Sequence, residues 1–282
     1  MGDPRVPDGS TYNRENVIRV MTDLYTFLSQ MPYVKPEDVL HPPPDGWPIT
    51  REDVSYKTDE VYQLLRHLPY VRQDRDHWSH PRYMLQPYTV FCDYRQDLSE
   101  AHLKALLTAG LLDLPPHVLP LTQPSEGQYG SYAMLDTTDG TVTELGPGQI
   151  YDDEAHKYAD DDSRAWRNKA QHKWDPLELT QPIEVYFGKI VDKFTKLEYI
   201  PRPGMEWPGI YHIVGGDETD EQYLEAKELQ KIYRRYGWPD LRNFQRDDCY
   251  RDLEHWLEEK DAAKQSRLMN APPILPGAAV SM

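Results

Sequence analysis

Proline constrains this chain more than any other residue. It occupies 25 of 282 positions, roughly twice the usual share of about 5%. Its ring fixes φ and removes a backbone donor, so it ends helices and stays out of central strands. Pro32 closes a run whose apolar residues Val17, Met21, Leu24, Leu28 and Met31 recur at spacings of three and four, the period of a one-sided helix. Pro69 closes a second run with Val61, Leu64, Leu65 and Leu68 on one side. Between them His41 to Pro48 holds consecutive prolines and reads as an extended polyproline connector. A chain cut this way folds into short elements with many loops.

The two proline-terminated runs resemble each other. Residues 23–34 align with 60–71 through an acid, a Tyr, the apolar positions and a closing Pro-Tyr-Val, with a fainter third echo at 194–201. A stacked helical array needs about three copies to bury its faces. Two similar helix ends on one core, each tucking Tyr-Val beneath its proline stop, is the simpler alternative. The first helix is expected at about 14–31, capped by Thr11 or Asn13, after a loose lead-in at 1–10. The second helical region is expected to open at Thr50.

From Gln86 the texture changes. Residues 88–94 are β-branched and aromatic and read as a strand, and a helix is expected at about 98–112. In 132–145, Asp139-Gly140 separates two strand-like runs, a strong hairpin signal. Residues 146–176 are polar and acidic and read as a long surface loop. Helices at about 182–197, 218–236 and 240–260 follow, with a short strand at 210–214. The expected class is α+β, with a small antiparallel sheet in the middle of the chain packed by N-terminal and C-terminal helices. One domain spans 11–265, with 11–84 as an optional helical subdomain, and a tail occupies 266–282.

Charge narrows the function. The formal net charge is -16, a field that repels phosphate backbones and anionic lipid, so a nucleic-acid partner is not expected. The most apolar stretch, 103–121, is interrupted by Asp113, Pro115, Pro116 and His117 and falls short of a membrane span. Gly2 is followed by Val6 where a myristoylation signal needs Ser or Thr. Cys92 and Cys249 lie far apart and no apolar signal core opens the chain, which favours a reducing compartment, cytoplasmic with the nucleus left open.

Local catalytic signatures are missing from the sequence: it has no Gly-x-Ser-x-Gly elbow, Walker loop or Gly-x-Gly-x-x-Gly turn. The acidic run 152–162 lacks the alternating order of a calcium loop and reads as a solvated charge run. His77 and His80 stand three apart, a zinc-ligand spacing, without the Cys pair or second His motif that would complete a site. Gly215-Gly216 precedes a helix whose first turn already carries Asp217, Glu218, Asp220 and Glu221, which disfavours a phosphate there. Both cysteines fall in regular elements, where Cys behaves as a small buried apolar residue. No catalytic, cofactor or metal residues are therefore assigned, and no cofactor is expected.

The segment 232–249 contains Gly237-Trp238-Pro239-Asp240, followed by Phe244, Arg246, Asp247 and Cys249. It resembles the C-terminal helix pair of a group of uncharacterised filamentous-fungal proteins. Gly237 suits a left-handed helix stop, Pro239 an early helical position, and Trp238 a plug for the corner between them. More remotely, the hairpin 135–142, Trp174 and the helix at 182–197 resemble the middle of the SUKH superfamily, which includes fungal cell-wall-synthesis regulators and bacterial toxin-immunity proteins. That resemblance implies an α+β protein that binds other proteins, and it brings no catalytic residues.

The expectation is a non-enzymatic intracellular binding or regulatory module. Its acidic, Tyr- and Trp-rich surface would meet a basic or proline-containing protein, since 20 Tyr and 7 Trp supply anchoring area at low entropy cost. Trp47, Tyr70, Trp78 and Tyr83 are the candidate interface rings. An enzyme with a dispersed Asp, Glu, His and Tyr site, or a structural subunit of a larger assembly, stays open as an alternative.

Overall fold

Helix α1, Arg14–Gln30, starts where the side chain of Asn13 accepts the Asn16 N–H at 2.9 Å. This satisfies one of the donors that a helix start leaves open. In the computed structural model, which describes residues 11–72, 83–95, 114–125, 130–146, 158–169, 180–203, 209–212 and 219–269, α1 buries Val17, Val20, Met21, Leu24, Tyr25 and Leu28. Helix α2, Asp59–His67, begins later than Thr50, because Thr58 provides its cap. Thr50 instead donates its N–H and its hydroxyl to the Asp53 carboxylate at 2.8 and 2.7 Å. That local pairing favours a turn over a helix.

The two proline-terminated ends pack on one core, with Met31, Tyr33, Val34, Leu68, Tyr70 and Val71 all buried. They then diverge. Strand β1, Val39–Leu40, pairs antiparallel with β2, Tyr70–Val71, so only the second Pro-Tyr-Val enters a sheet. The third echo, at 194–201, spans a helix end and a strand and does not repeat the motif.

Among the described residues four separate antiparallel sheets stand in place of the single middle sheet, within the expected α+β class. Residues 88–94 do not form one strand: β3, Met84–Gln86, turns through Pro87 and Tyr88 into β4, Thr89–Phe91. Strand β4 also pairs with β6, Thr122–Pro124. The largest sheet runs in the order β5, Val118–Pro120; β7, Tyr132–Asp136; β8, Thr141–Leu145; β9, Thr180–Pro182. Its central hairpin pairs Asp136 with Thr141 across the turn that holds Asp139 and Gly140. Gly140 sits at φ +75, which a residue without Cβ adopts freely. Strand alternation divides β7 between two clusters: Ala133 and Leu135 join the main core, Tyr132 and Met134 a smaller one with Val118, Leu145 and Trp166.

Helix α3, Ile183–Thr195, packs against α1 and leads through Leu197 to the ribbon of β10, Tyr199–Pro201, and β11, Ile210–His212. Helix α4, Glu221–Arg235, ends at Gly237, which has φ +99. Helix α5, Arg246–Met269, starts seven residues after Pro239, so Pro239 does not open it. Asp240 intervenes: its carboxylate accepts the Arg242 N–H at 3.1 Å and the Asn243 side chain at 2.7 Å, holding 239–245 as a turn. Arg246 then donates to the Ser29 and Met31 carbonyls at 3.0 and 3.1 Å, joining α5 to the end of α1. The helix continues through residues 266–269, which the sequence reading places in the tail. One apolar cluster runs from Val17 to Leu253. Among the described residues no helix is long and apolar enough to cross a membrane. The lead-in 1–10, the helix at 98–112, His77, Trp78, His80, Trp174, Gly215-Gly216 and residues 270–282 lie outside the described residues, as does most of the acidic run.

Candidate functional site

Three elements converge on one open cavity of about 490 Å³. The β3–β4 turn supplies Met84, Pro87 and Tyr88; the β10–β11 ribbon supplies Arg202, Ile210, Tyr211 and His212; the start of α4 supplies Asp220, Gln222 and Tyr223. Strand β11 packs on β3, which brings the ribbon and the turn together. A second cavity of about 280 Å³ continues behind the shared wall of Arg202, Tyr211 and Gln222 and reaches Glu225, Trp256 and Lys260. The two cavities adjoin across this wall, and together they mark a grooved surface with aromatic rings and charges of both signs.

The tyrosines of the groove are held differently. Tyr211 donates its hydroxyl to Glu225 Oε2 at 3.0 Å, and burial pushes its phenol up to about 12. Tyr223 carries the Lys227 ammonium 5.1 Å from its ring centroid, and Trp256 carries that of Lys260 at 5.3 Å, close enough for cation–π attraction. Tyr88 is 50% exposed and has φ +59, a conformation that costs an L-residue about 1–2 kcal/mol. Its carbonyl accepts the Ser125 N–H at 2.7 Å. Gly130 lies directly behind, where a Cβ would stand 2.1 Å from the Tyr88 oxygen.

Behind the groove wall lies a polar network. Gln86 donates to Glu144 at 3.0 Å and to Ser131, and Tyr199 donates to Gln86 Oε1 at 3.4 Å. Lys193 Nζ stands 3.3 Å from the Tyr199 hydroxyl, and the His212 ring meets Tyr199 edge-on at 5.0 Å. Burial lowers the His212 pKa, and the Lys193 ammonium lowers it further. Both effects favour the neutral imidazole, which can donate and accept a hydrogen bond.

A second charged cluster pins the largest sheet. Arg167 is fully buried and donates to Asp136 at 3.0 Å, to Asp139 at 3.1 Å and to Thr141 at 2.8 Å. Trp166 Nε1 adds a bond to Asp136 at 3.2 Å. This cluster fastens the short 3-10 helix Ala165–Lys169 to the hairpin turn. Such a dry pair fixes geometry, since losing one partner strands a buried charge. Among the described residues no group of three or more His, Cys, Asp or Glu side chains is arranged to hold a metal.

Of the candidate interface rings, Trp47, Tyr70 and Tyr83 lie among the described residues, and none of the three lines the cavities. Tyr70 is 1% exposed and donates to the Leu65 carbonyl at 2.8 Å. Tyr83 is 3% exposed, donates to Asp38 at 2.7 Å and packs edge-on against Tyr33. Trp47 is half-buried, donates to the Leu68 carbonyl at 2.8 Å and lies beneath the Arg95 guanidinium. Tyr70 and Trp47 both bond carbonyls at the proline-stopped end of α2, which explains why the fold draws them inward. Trp238 is likewise 4% exposed: its indole N–H reaches the Phe194 and Thr195 carbonyls at 3.2 and 3.1 Å, closing the end of α3.

The groove rings Tyr88, Tyr211, Tyr223 and Trp256 were not singled out by the sequence reading. Trp256 had a visible signal, a large aromatic among Glu254, His255, Glu258 and Glu259 on a strongly charged helix. Tyr88 had only an indirect one, Pro87 directly before it, which suits the second position of a turn. Comparison of the chain with protein-family models, with curated proteins and with solved structures found no match.

Proposed function

We infer that the protein is a non-enzymatic binding module whose groove between the β3–β4 turn, the β10–β11 ribbon and the facing helices α4 and α5 docks a segment of a partner protein. The observation that carries this reading is the pair of adjoining cavities that share Arg202, Tyr211 and Gln222 in their linings and have Tyr88, Tyr223 and Trp256 around them. Aromatic rings with polar handles are the residues that anchor protein interfaces. The net charge of -16 favours a basic partner and speeds its capture at low salt. The binding role implied by the SUKH resemblance agrees with this reading.

The test is affinity purification with the wild-type chain and with a Tyr88→Ala, Tyr223→Ala double variant, followed by mass spectrometry and binding kinetics on the purified partner. The expected result is a partner whose association rate falls as salt rises and whose binding is lost with the two rings. A partner retained equally by a normally melting double variant would remove the groove from the reading. An association rate indifferent to salt would remove its electrostatic part.

A further inference from the structure

Four consecutive residues, Gly209, Ile210, Tyr211 and His212, line the larger cavity. Side chains of a strand alternate between its two faces, so an unbroken run along a wall means that β11 presents its edge there. The register of the ribbon tells which backbone groups lie on that edge. The Arg202 N–H donates to the Gly209 carbonyl at 2.9 Å, which makes theirs a hydrogen-bonded pair. Antiparallel pairs alternate, so Pro201 and Ile210, the next pair in register, do not bond each other. Pro201 fits on both counts: it has no N–H, and its carbonyl accepts the Tyr233 hydroxyl at 3.0 Å instead. Ile200 and Tyr211 then bond each other, while Tyr199 and His212 do not. The N–H and C=O groups of Ile210 and His212 therefore point away from β10.

Among the described residues no strand pairs with that edge. Strand β3, also outermost in its sheet, is closed by a side chain: the Met84 N–H donates to the Tyr33 hydroxyl at 2.7 Å, and that hydroxyl donates to the Met84 carbonyl at 3.1 Å. Ile210 and His212 receive no such closure among the described residues. Unpaired groups on a strand edge are a template for another extended chain. Charge does not choose the occupant here. Arg202 stands 3.7 Å from Asp261, Asp220 accepts the Gln222 N–H at 2.7 Å as the cap of α4, and Lys227 and Lys260 lie over Tyr223 and Trp256. The edge asks for main chain in extended form. A helical segment uses its own groups internally, and a proline lacks the donor.

Resting on the docking reading above, we propose that the partner segment adds to β11 as a further strand, bonding Ile210 and His212 through alternate residues, none of them proline. Side chains of that segment that turn toward the far wall meet Met84, Pro87 and Tyr88. The Tyr88 ring is fixed there by the Ser125 N–H on its carbonyl and by the room left at Gly130.

The experiment pans a displayed library of short random peptides on the full chain. A selected peptide is then synthesised with fluorescein and methylated at one backbone nitrogen at a time. Fluorescence anisotropy should show affinity falling at least about tenfold, equivalent to ~1.4 kcal/mol, at every second position of the paired stretch and little change between, because methylation removes a donor and only alternate donors face β11. His212→Pro removes an N–H that the ribbon does not use, and His212→Ala keeps it. The proline variant should bind at least about tenfold more weakly than the alanine variant, with similar melting. Should it fold poorly, amide exchange of the wild-type chain gives the answer: the peptide should slow exchange at Ile210 and His212, and unchanged exchange there overturns the proposal. Equal affinity of two folded His212 variants overturns it, as does methylation that weakens binding at consecutive positions or at none. Failure of the library to yield a binder also overturns it. In each of these cases, loss of the purified partner from the Tyr88, Tyr223 double variant would show that the docking reading survives, and retention of the partner would show that both fail.

Discussion

Leu197 and Tyr88 hold the same backbone conformation, each at φ +59, in opposite surroundings. Leu197 ends helix α3: its N–H meets the Phe194 carbonyl at 3.0 Å and the next N–H meets that of Lys193 at 2.8 Å. This is the closing pattern that glycine usually serves. The leucine side chain is 1% exposed, and burying it gains about 1.5–3 kcal/mol, enough to offset a left-handed cost of about 1–2 kcal/mol. Gln230 adds a bond to its carbonyl at 2.7 Å. Packing therefore explains Leu197. Tyr88 has an equally fixed backbone without an equivalent burial, so its conformation positions a surface instead of filling a core. One difference in exposure thus separates a structural bend from a candidate recognition element.

The largest effect is expected on the interior side. Trp238 seals the end of α3 just before Leu197, bonding the Phe194 and Thr195 carbonyls and packing against Phe27, Tyr233 and Phe244. Trp238→Ala should cost about 3–5 kcal/mol, read as a lowered denaturation midpoint. If this variant melts with the wild type, the corner contributes nothing to the fold and the interior half of the comparison fails.

How far the sequence revealed this arrangement depended on which physical signal fixed each element. The hairpin at 132–145 was legible because Asp139-Gly140 permits only a few turns, and its strands alternate between two cores. Helix α3 was legible from its apolar spacing and from Pro182 at its start. The break at Tyr88 was not, because its left-handed backbone usually calls for Gly, Asn or Asp and a tyrosine stands there instead. The glycine that makes room for it, Gly130, is distant in the chain. Pro239 misled in a similar way: a proline suits a helix start, but Asp240 captured the following donors and delayed α5 to Arg246. The groove is assembled from the ends of several elements, and no local pattern records such a meeting.

Leu197 itself gives a sharper test. Leu197→Ala should cost about 2–5 kcal/mol through the lost side chain. Glycine normally destabilises a site by about 0.5–1 kcal/mol relative to alanine. At a left-handed position that order should vanish or reverse, because glycine is relieved of about 1–2 kcal/mol of strain. Leu197→Gly melting well below Leu197→Ala in the same chemical denaturation series would show that the backbone, once trimmed, leaves the left-handed region.

Gly130→Ala moves the comparison to the rim. The added Cβ would stand 2.1 Å from the Tyr88 carbonyl oxygen and 3.1 Å from Pro124 Cα, with φ at +98. Backbone atoms cannot yield as a flexible side chain can, so the turn must shift at a cost of about 1–3 kcal/mol. The diagnostic is a paired loss: reduced stability together with reduced affinity for the purified partner. Reduced stability with unaltered affinity would mean that Tyr88 keeps its position without Gly130, and the pinning argument would fall.

The smallest effect should be at Tyr88, and the contrast with Leu197 depends on it. Removing a half-exposed ring gives up little buried area, so Tyr88→Ala should change stability by no more than about 0.5 kcal/mol, as surface substitutions usually do. Tyr88→Gly should lie at or slightly above the wild type. Relief of about 1–2 kcal/mol of left-handed strain is opposed by an unfolded chain whose added freedom costs about 0.4–1 kcal/mol. Urea denaturation of both variants, run beside the Leu197 pair, measures all four effects on one scale. A loss at Tyr88 as large as that at Leu197 would mean that its ring also supports the core, and its exposure would no longer single it out for recognition. Near-wild-type stability with lost ligand binding would separate the two residues by what their shared conformation does: one closes a helix, and the other holds a ring in place for a partner.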